Sequence, residues 1–164
     1  MAFITLPLLV AGRLPIPAVE LLATRLLRRV LGAHPGLFDR LGQYGTSQFV
    51  FEPEELPFAF GVRPAARSVS VRRRGRFLRN DVTISGPLLV MLALAEGRVD
   101  GDTEFFSRRL RIEGDMEAAL ALRNALDDTR LDLPQILAPR SGPARPAIGK
   151  LLAIARDRLL ADIV

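Results

Sequence analysis

The chain holds one histidine, His34, and no cysteine. Thiolate metal sites, cysteine nucleophiles and disulfide staples are therefore excluded, and a zinc site built on two imidazoles cannot be assembled. A Ser-His-Asp relay would have to use His34. That residue precedes Pro35 at the end of a helical pattern, where a cation complements the helix dipole. Paired carboxylates occur at Asp100/Asp102 and Asp127/Asp128. The first pair lies in a Gly-containing turn and the second near a helix end, so capping accounts for both. The nearest phosphate-loop candidate fails, because six residues separate Gly142 from Gly149 and Leu151 stands where a hydroxyl belongs. Neither G-x-S-x-G nor G-x-G-x-x-G occurs. These residues compose no catalytic centre, and the expectation is a protein without catalysis, metal or cofactor.

One cluster invites a different chemistry. Arg72, Arg73, Arg74, Arg76 and Arg79 fall within eight residues, enough to neutralise several phosphates and make binding steeply salt-dependent. Only Phe77 interleaves with them and no helix-turn-helix accompanies them, so nucleic acid is not an expected partner. A hairpin tip whose arginines stay in water is the plainer reading, with Gly75 supplying the positive φ of the turn. A lipid headgroup or a partner protein comes second. The net charge is +5, and residues 1–80 carry twelve Arg against five acids while the remainder is net acidic. An anionic partner would meet the N-terminal half.

The elements that position these residues follow from periodicity. With 164 residues, 49% hydrophobic and 25% charged, the chain fits one globular domain. A helix is expected from about Ala18 to Ala33, burying Leu22, Leu26, Leu27, Val30 and Leu31 and turning Glu20, Arg25, Arg28 and Arg29 outward. It reads either as a core helix with a solvated face or as an interfacial helix whose arginines meet anionic headgroups. A short apolar helix follows around Leu37–Leu41, then a loop over Glu52–Pro57. The period next changes to two at Phe58/Phe60/Val62, Val69/Val71, Val82/Ile84 and Leu110/Ile112, which predicts half-buried strands.

Ser85-Gly86-Pro87 signals a helix start with Ser85 as N-cap. The helix that follows, Leu88 to Ala95, is apolar on every side. A helix covering a sheet needs one apolar stripe, so something apolar must meet its other face: another helix, the N-terminal segment, a dimer partner or a lipid. Gly114-Asp115 opens a further helix with Asp115 as cap. Residues 138–146, rich in Pro, form a linker before a last amphipathic helix. The expected organisation is a single domain over 1–164, with an N-terminal helical segment 1–46, a core 47–137, the linker 138–146 and a C-terminal helix 147–164. The apolar start, Met1 to Val10, lacks a basic n-region and is broken by Gly12, Arg13, Pro15 and Pro17, unlike a signal peptide. No run of about 18 apolar residues occurs, so the protein is expected in the cytoplasm.

The stretch Asp102-Thr-Glu-Phe-Phe-Ser-Arg-Arg-Leu-Arg-Ile-Glu-Gly-Asp-Met-Glu117, continuing into an apolar helix, resembles the signature of sterol carrier protein-2 domains. Within them it is most similar to the UbiT type of ubiquinone biosynthesis accessory factor. Asp81-Val-Thr-Ile-Ser85 before an apolar helix fits as well, and the likeness is dense from about Asp81 to Leu126. The segment between Val62 and Val69 is shorter than that pattern, so fewer or shorter strands are expected there. The resemblance implies an α+β fold: a curved, mostly antiparallel sheet covered by helices, with the N-terminal amphipathic helix and the C-terminal helix around an apolar lipid cavity. It also implies a non-catalytic role, holding isoprenoid ubiquinone precursors for oxygen-independent synthesis beside the hydroxylase pair UbiU and UbiV. The basic face of the N-terminal helix adds the expectation of peripheral contact at the inner membrane. A general lipid carrier outside ubiquinone synthesis, or a protein-interaction subunit, is the alternative. Candidate cavity residues are Phe58, Phe60, Leu88, Leu89, Met91, Leu92, Leu94, Phe105, Phe106, Leu110, Ile112, Met116 and Leu120. Candidate headgroup contacts are Arg25, Arg28, Arg29, Arg72, Arg73 and Arg74.

Overall fold

Five strands, β1 (Phe49–Pro53), β2 (Phe58–Arg63), β3 (Ser68–Arg73), β4 (Val82–Gly86) and β5 (Arg111–Gly114), form one sheet in the order β3-β2-β1-β4-β5. This is a computed structural model, and it describes residues 14–76, 80–97, 109–138 and 145–161. The β1–β4 pair is parallel and the other pairs are antiparallel. The helices are α1 (Ile16–Ala33), α2 (Leu88–Ala95), α3 (Met116–Thr129), α4 (Leu133–Leu137) and α5 (Arg145–Ala161), with a 3-10 segment at Asp39–Thr46. The fold is α+β, as the resemblance implies.

The period-two reading finds β2 to β5 and misses β1. Glu52-Pro53 breaks the alternation and made Glu52–Pro57 look like loop, yet β1 is the central strand, with Phe49 and Val50 each 1% exposed. A central strand is buried on both faces, so it shows a continuous apolar run in place of alternation. The hairpin tip is also displaced. Strands β2 and β3 pair from Phe58↔Arg73 to Arg63↔Ser68, so the turn is Pro64–Arg67 and Arg72 and Arg73 belong to β3. Arg67 takes the positive φ, 47°, in place of a glycine, which concealed the turn. Gly75 does adopt φ 70°, in the bend that leaves β3.

Helix α1 starts behind Pro15, with Pro17 in its first turn, where the missing N–H costs nothing. Its roll differs from expectation. Val30 is buried, and Ile16, Val19, Ala23, Leu27 and Leu31 are half-buried, whereas Leu21, Leu22 and Leu26 join Arg25 and Arg28 in solvent. Two polar contacts account for this orientation. Val71 N–H on the edge strand β3 donates to Glu20 Oε2 at 2.8 Å, and Arg29 Nη1 donates to the Leu137 carbonyl at 3.1 Å. Glu20 thus faces the sheet edge, and the outward place expected for it is filled by leucines.

The N-terminus of α2 is likewise held from a distance. Ser85 and Gly86 end β4, Pro87 is the cap residue without a side-chain bond, and Leu88 N–H donates to Glu55 Oε2 at 2.9 Å. A backbone amide left free at a helix start needs such an acceptor. Glu55 sits in the β1–β2 connection, which Arg74 clamps by donating from Nη2 to the carbonyls of Pro53, Glu54 and Leu56. Replacing Glu55 by Ala is expected to cost about 1 kcal/mol, the usual worth of an N-terminal cap, read as a lower denaturant midpoint at unchanged m-value. At the other end of α2, buried Glu96 accepts from Leu133 N–H at 3.0 Å and ties α2 to α4. Asp115 caps α3 as expected, accepting from Glu117 and Ala118 N–H at 2.9 and 3.1 Å. Helix α5 begins at Arg145, inside the stretch expected as linker, because a proline such as Pro146 suits a first turn.

Candidate functional site

The strand registers assemble one apolar face. Val71, Phe60, Phe51, Ile84 and Ile112 stand side by side in a row that crosses all five strands. The next row is Val69, Val62, Phe49, Val82 and Gly114. Side chains two residues apart share a face, so both rows point the same way. Phe49, Val82 and Ile84 pack there with Ala118, Ala119, Leu122 and Ala125 of α3, and with Val30, Leu37, Leu41 and Leu131. Gly114 closes the second row against the Asp81 carbonyl, at φ 100°.

The middle of the first row is less covered than its end at Val71. Phe51 and Phe60 are only half-buried, although they occupy β1 and β2 near the centre of the sheet, while Val71 at the edge is 3% exposed. In a close-packed core the centre is normally the most enclosed part. Apolar surface therefore remains accessible at the middle of the sheet. Beside it, α2 consists only of Leu, Val, Met and Ala. Val90 and Ala93 are buried, Met91 and Ala95 pack on the core, Leu88, Leu89 and Leu94 are half-buried, and Leu92 is 38% exposed.

The expected cavity residues separate on this geometry. Phe58 and Leu110 are fully enclosed; Phe60, Leu88, Leu89, Met91, Leu94 and Ile112 are partly accessible. Leu92, Met116 and Leu120 lie in solvent, the last two on the first turns of α3 at 50% and 52% exposure. Phe105 and Phe106 fall outside the described residues, as do Asp100 and Asp102. Phe51 was not expected; the x-Phe-x-Phe spacing of Phe49 and Phe51 is the signal that the following Glu52-Pro53 hid.

The arginines do not form one patch. Arg25 and Arg28 are exposed on α1, Arg29 holds α4, Arg72 and Arg73 lie on β3, and Arg74 holds the β1–β2 connection. Of the acids weighed for chemistry, Asp127 pairs with Arg123 at 3.4 Å and Asp128 with Arg40 at 3.0 Å. His34 ends α1, its backbone N–H on the Val30 carbonyl. Among the described residues no group of three or more His, Cys, Asp or Glu is placed to hold a metal ion. No described helix is long and apolar enough to cross a membrane.

One titratable group is perturbed. Tyr44 Oη donates to Glu117 Oε2 at 2.6 Å, pinning the 3-10 segment to the start of α3. That bond raises the phenol above its ordinary 10.0, with the negative charges of Glu117 and Asp115 adding to it and Gln43 opposing. The neutral phenol is the bonded form. Its contribution to stability is complete below pH 10.0 and is lost as pH climbs through the raised value. The chain has one Tyr and no Trp, so phenolate absorbance reads this group alone. The midpoint is expected above 10.0 and should fall toward it in Glu117→Gln.

An open mixed sheet with one apolar face, roofed by helices and left partly accessible at its centre, defines an α+β domain. A family model described as the SCP-2 sterol transfer family matches residues 26–127, and the chain belongs to that family. It is 41% identical over 58 residues to the ubiquinone biosynthesis accessory factor UbiT of Escherichia coli strain K12, a stretch that is 35% of this chain. The match spans about a third, 33%, of that relative's length. Among solved structures, the UbiJ-SCP2 ubiquinone synthesis protein superimposes with a TM-score of 0.56 at 19% identity, covering 71% of this chain and 96% of that one. That likeness is one of fold.

Proposed function

We propose that the protein is a non-catalytic lipid carrier serving ubiquinone biosynthesis, which shelters the isoprenoid tail of a ring-bearing precursor and leaves the ring open to modifying enzymes. The observation that carries this reading is the half-buried pair Phe51 and Phe60 in the middle of the apolar row. A prenyl tail laid on that face gains about 0.8 kcal/mol per buried methylene, so holding it needs no polar code. The names of the similar proteins, a ubiquinone biosynthesis accessory factor and a ubiquinone synthesis protein, supply the pathway. The oxygen-independent branch and delivery to the UbiU and UbiV hydroxylase pair belong to the proposal.

Residues 47–137 form the carrier core in this reading. The N-terminal segment 1–46 supplies α1, whose outward Leu21, Leu22 and Leu26 sit among Arg25 and Arg28. Such a face suits the boundary between headgroups and acyl chains, and we assign it peripheral contact with the cytoplasmic side of the inner membrane. The test is gentle purification from a quinone-making host, native mass spectrometry, and identification of the extracted lipid. A stoichiometric prenylated phenol or quinone is expected. A protein that flies ligand-free and takes up no quinone precursor from liposomes would overturn the reading.

A further inference from the structure

Helix α1 is not the only one with apolar residues turned to solvent. On α5, Leu151 is 66% and Ile154 51% exposed, and Ala147 and Arg158 extend the same stripe at helical spacing. On its other side α5 approaches α4 at Gly149, where an added Cβ would lie 3.9 Å from Ala138 Cβ, and Gly149, Lys150 and Ala153 line a pocket with Asp132, Pro134 and Ala138. Helix α4 in turn meets α1 through Arg29, whose guanidinium reaches the carbonyls of Ile136 and Leu137 at 3.4 and 3.1 Å. Leu26 lies one turn before Arg29, and Leu137 is 47% exposed. Helices α1, α4 and α5 thus each carry exposed apolar side chains, Leu21, Leu22 and Leu26 on the first, Leu137 on the second and Leu151 and Ile154 on the third.

We propose that α5 is a second membrane anchor, and that α1, α4 and α5 together present one docking face to an anionic lipid surface. This rests on the carrier reading and names what its docking segment shares the membrane with. Charge selects the occupant. Among the residues whose side chains are described, the exposed basic ones on these helices are Arg25 and Arg28 on α1 and Lys150 and Arg158 on α5. Against them stand the acids Asp132, which caps α4 and shares a pocket with Lys150, and Asp157, each with contacts of its own. A surface with leucine, isoleucine and spaced cations matches an anionic bilayer boundary, where each basic side chain near the surface adds attraction that salt screens. Arg29 ties α1 to α4, and α5 packs on α4 in turn. A face spread over several helices would also set the carrier's orientation, which a single helix free to roll on the bilayer would not.

The test is flotation of the full chain with phosphatidylcholine vesicles containing phosphatidylglycerol, and with phosphatidylcholine alone. Leu151→Glu with Ile154→Glu is expected to weaken binding to the anionic vesicles about a hundredfold, roughly tenfold for each apolar side chain withdrawn. Both side chains are more than half exposed, so thermal unfolding of the free protein should hardly move. Lys150→Gln with Arg158→Gln is the milder second variant, and it should flatten the salt dependence. Leu22→Glu with Leu26→Glu is the comparison on α1. If the α1 pair abolishes binding while both α5 pairs bind like the unaltered protein, α5 is no anchor, and the carrier reading stands. If the unaltered protein does not float at all, docking itself fails, whereas copurified lipid still decides the carrier reading. If the α5 apolar pair changes the oligomeric state of the free protein, the face belongs to a second copy and the proposal falls.

Discussion

Gly114→Ala should unfold the protein more readily than any other exchange of one glycine for alanine at a described position. A Cβ at this position would lie 2.0 Å from the Asp81 carbonyl oxygen and 3.3 Å from Val82 Cα, both backbone atoms that no rotamer change can move aside. The residue also sits at φ 100°, where an L side chain is strained. Left-handed strain costs about 1–2 kcal/mol and forced overpacking about 1–3 kcal/mol, so a loss of about 3–4 kcal/mol is expected. For a chain of this size that lowers the melting temperature by about 10 °C. The damage is not confined to one residue. Asp81 accepts Asp115 N–H on the same carbonyl at 2.8 Å, and its carboxylate accepts Gln48 N–H at 2.7 Å. Pushing Asp81 away therefore unsettles the start of β1, the pairing of β4 with β5 and the cap of α3 together. Gly36→Ala is the control: nothing lies within 4 Å of the added methyl, and stability should be unchanged. A Gly114→Ala protein that melts with the unaltered one would mean that β4 and β5 are not packed at this register.

Why some of this was legible and some was not has a physical division. Alternation of Phe58, Phe60, Val62, Val69, Val71, Val82, Ile84 and Ile112 is a local pattern, and it marks one face of each strand without any knowledge of partners. Which strands are neighbours is a long-range matter. The central β1 was lost because burial on both faces removes the alternation that identifies a strand, and the true hairpin turn because Arg67 occupies a backbone region usually left to glycine. The same split runs through the helices. Asp115 caps its own helix from the adjacent position and was readable; Glu55 caps α2 from 33 residues away and was not. The roll of α1 rests on Glu20 and Arg29, whose partners Val71 and Leu137 are 51 and 108 residues distant. A helical wheel of α1 alone therefore turns Leu22 and Leu26 inward. For the candidate site, Phe60 and most of α2 were visible as apolar excess, while Phe51 became visible only once the register set it beside Phe60.

Stripping bound lipid is expected to lower the melting temperature by about 8 °C. A ligand that binds only the folded state at a hundred times its dissociation constant adds about 2.7 kcal/mol, and a chain of this length shifts by about 2–4 °C for each kcal/mol. Where the lipid lies can be read from two phenylalanines of the same strand. Phe58 is 1% exposed and packed on all sides, so Phe58→Leu removes buried contacts and lowers the melting temperature of the lipid-free protein. It should leave the lipid-dependent increment intact. Phe60 is half-buried in the accessible middle of the row. Phe60→Ser withdraws apolar floor and sets an unpartnered hydroxyl against the tail, which should weaken binding about tenfold and halve the increment, since tenfold is about 1.4 kcal/mol. The two variants thus move different halves of one measurement. Phe58 lies on the same face as Phe60, two residues along β2. Were Phe60→Ser to keep the full increment while Phe58→Leu lost it, the tail would not lie over Phe51 and Phe60 at the middle of the row, and the accessible surface there would need another occupant.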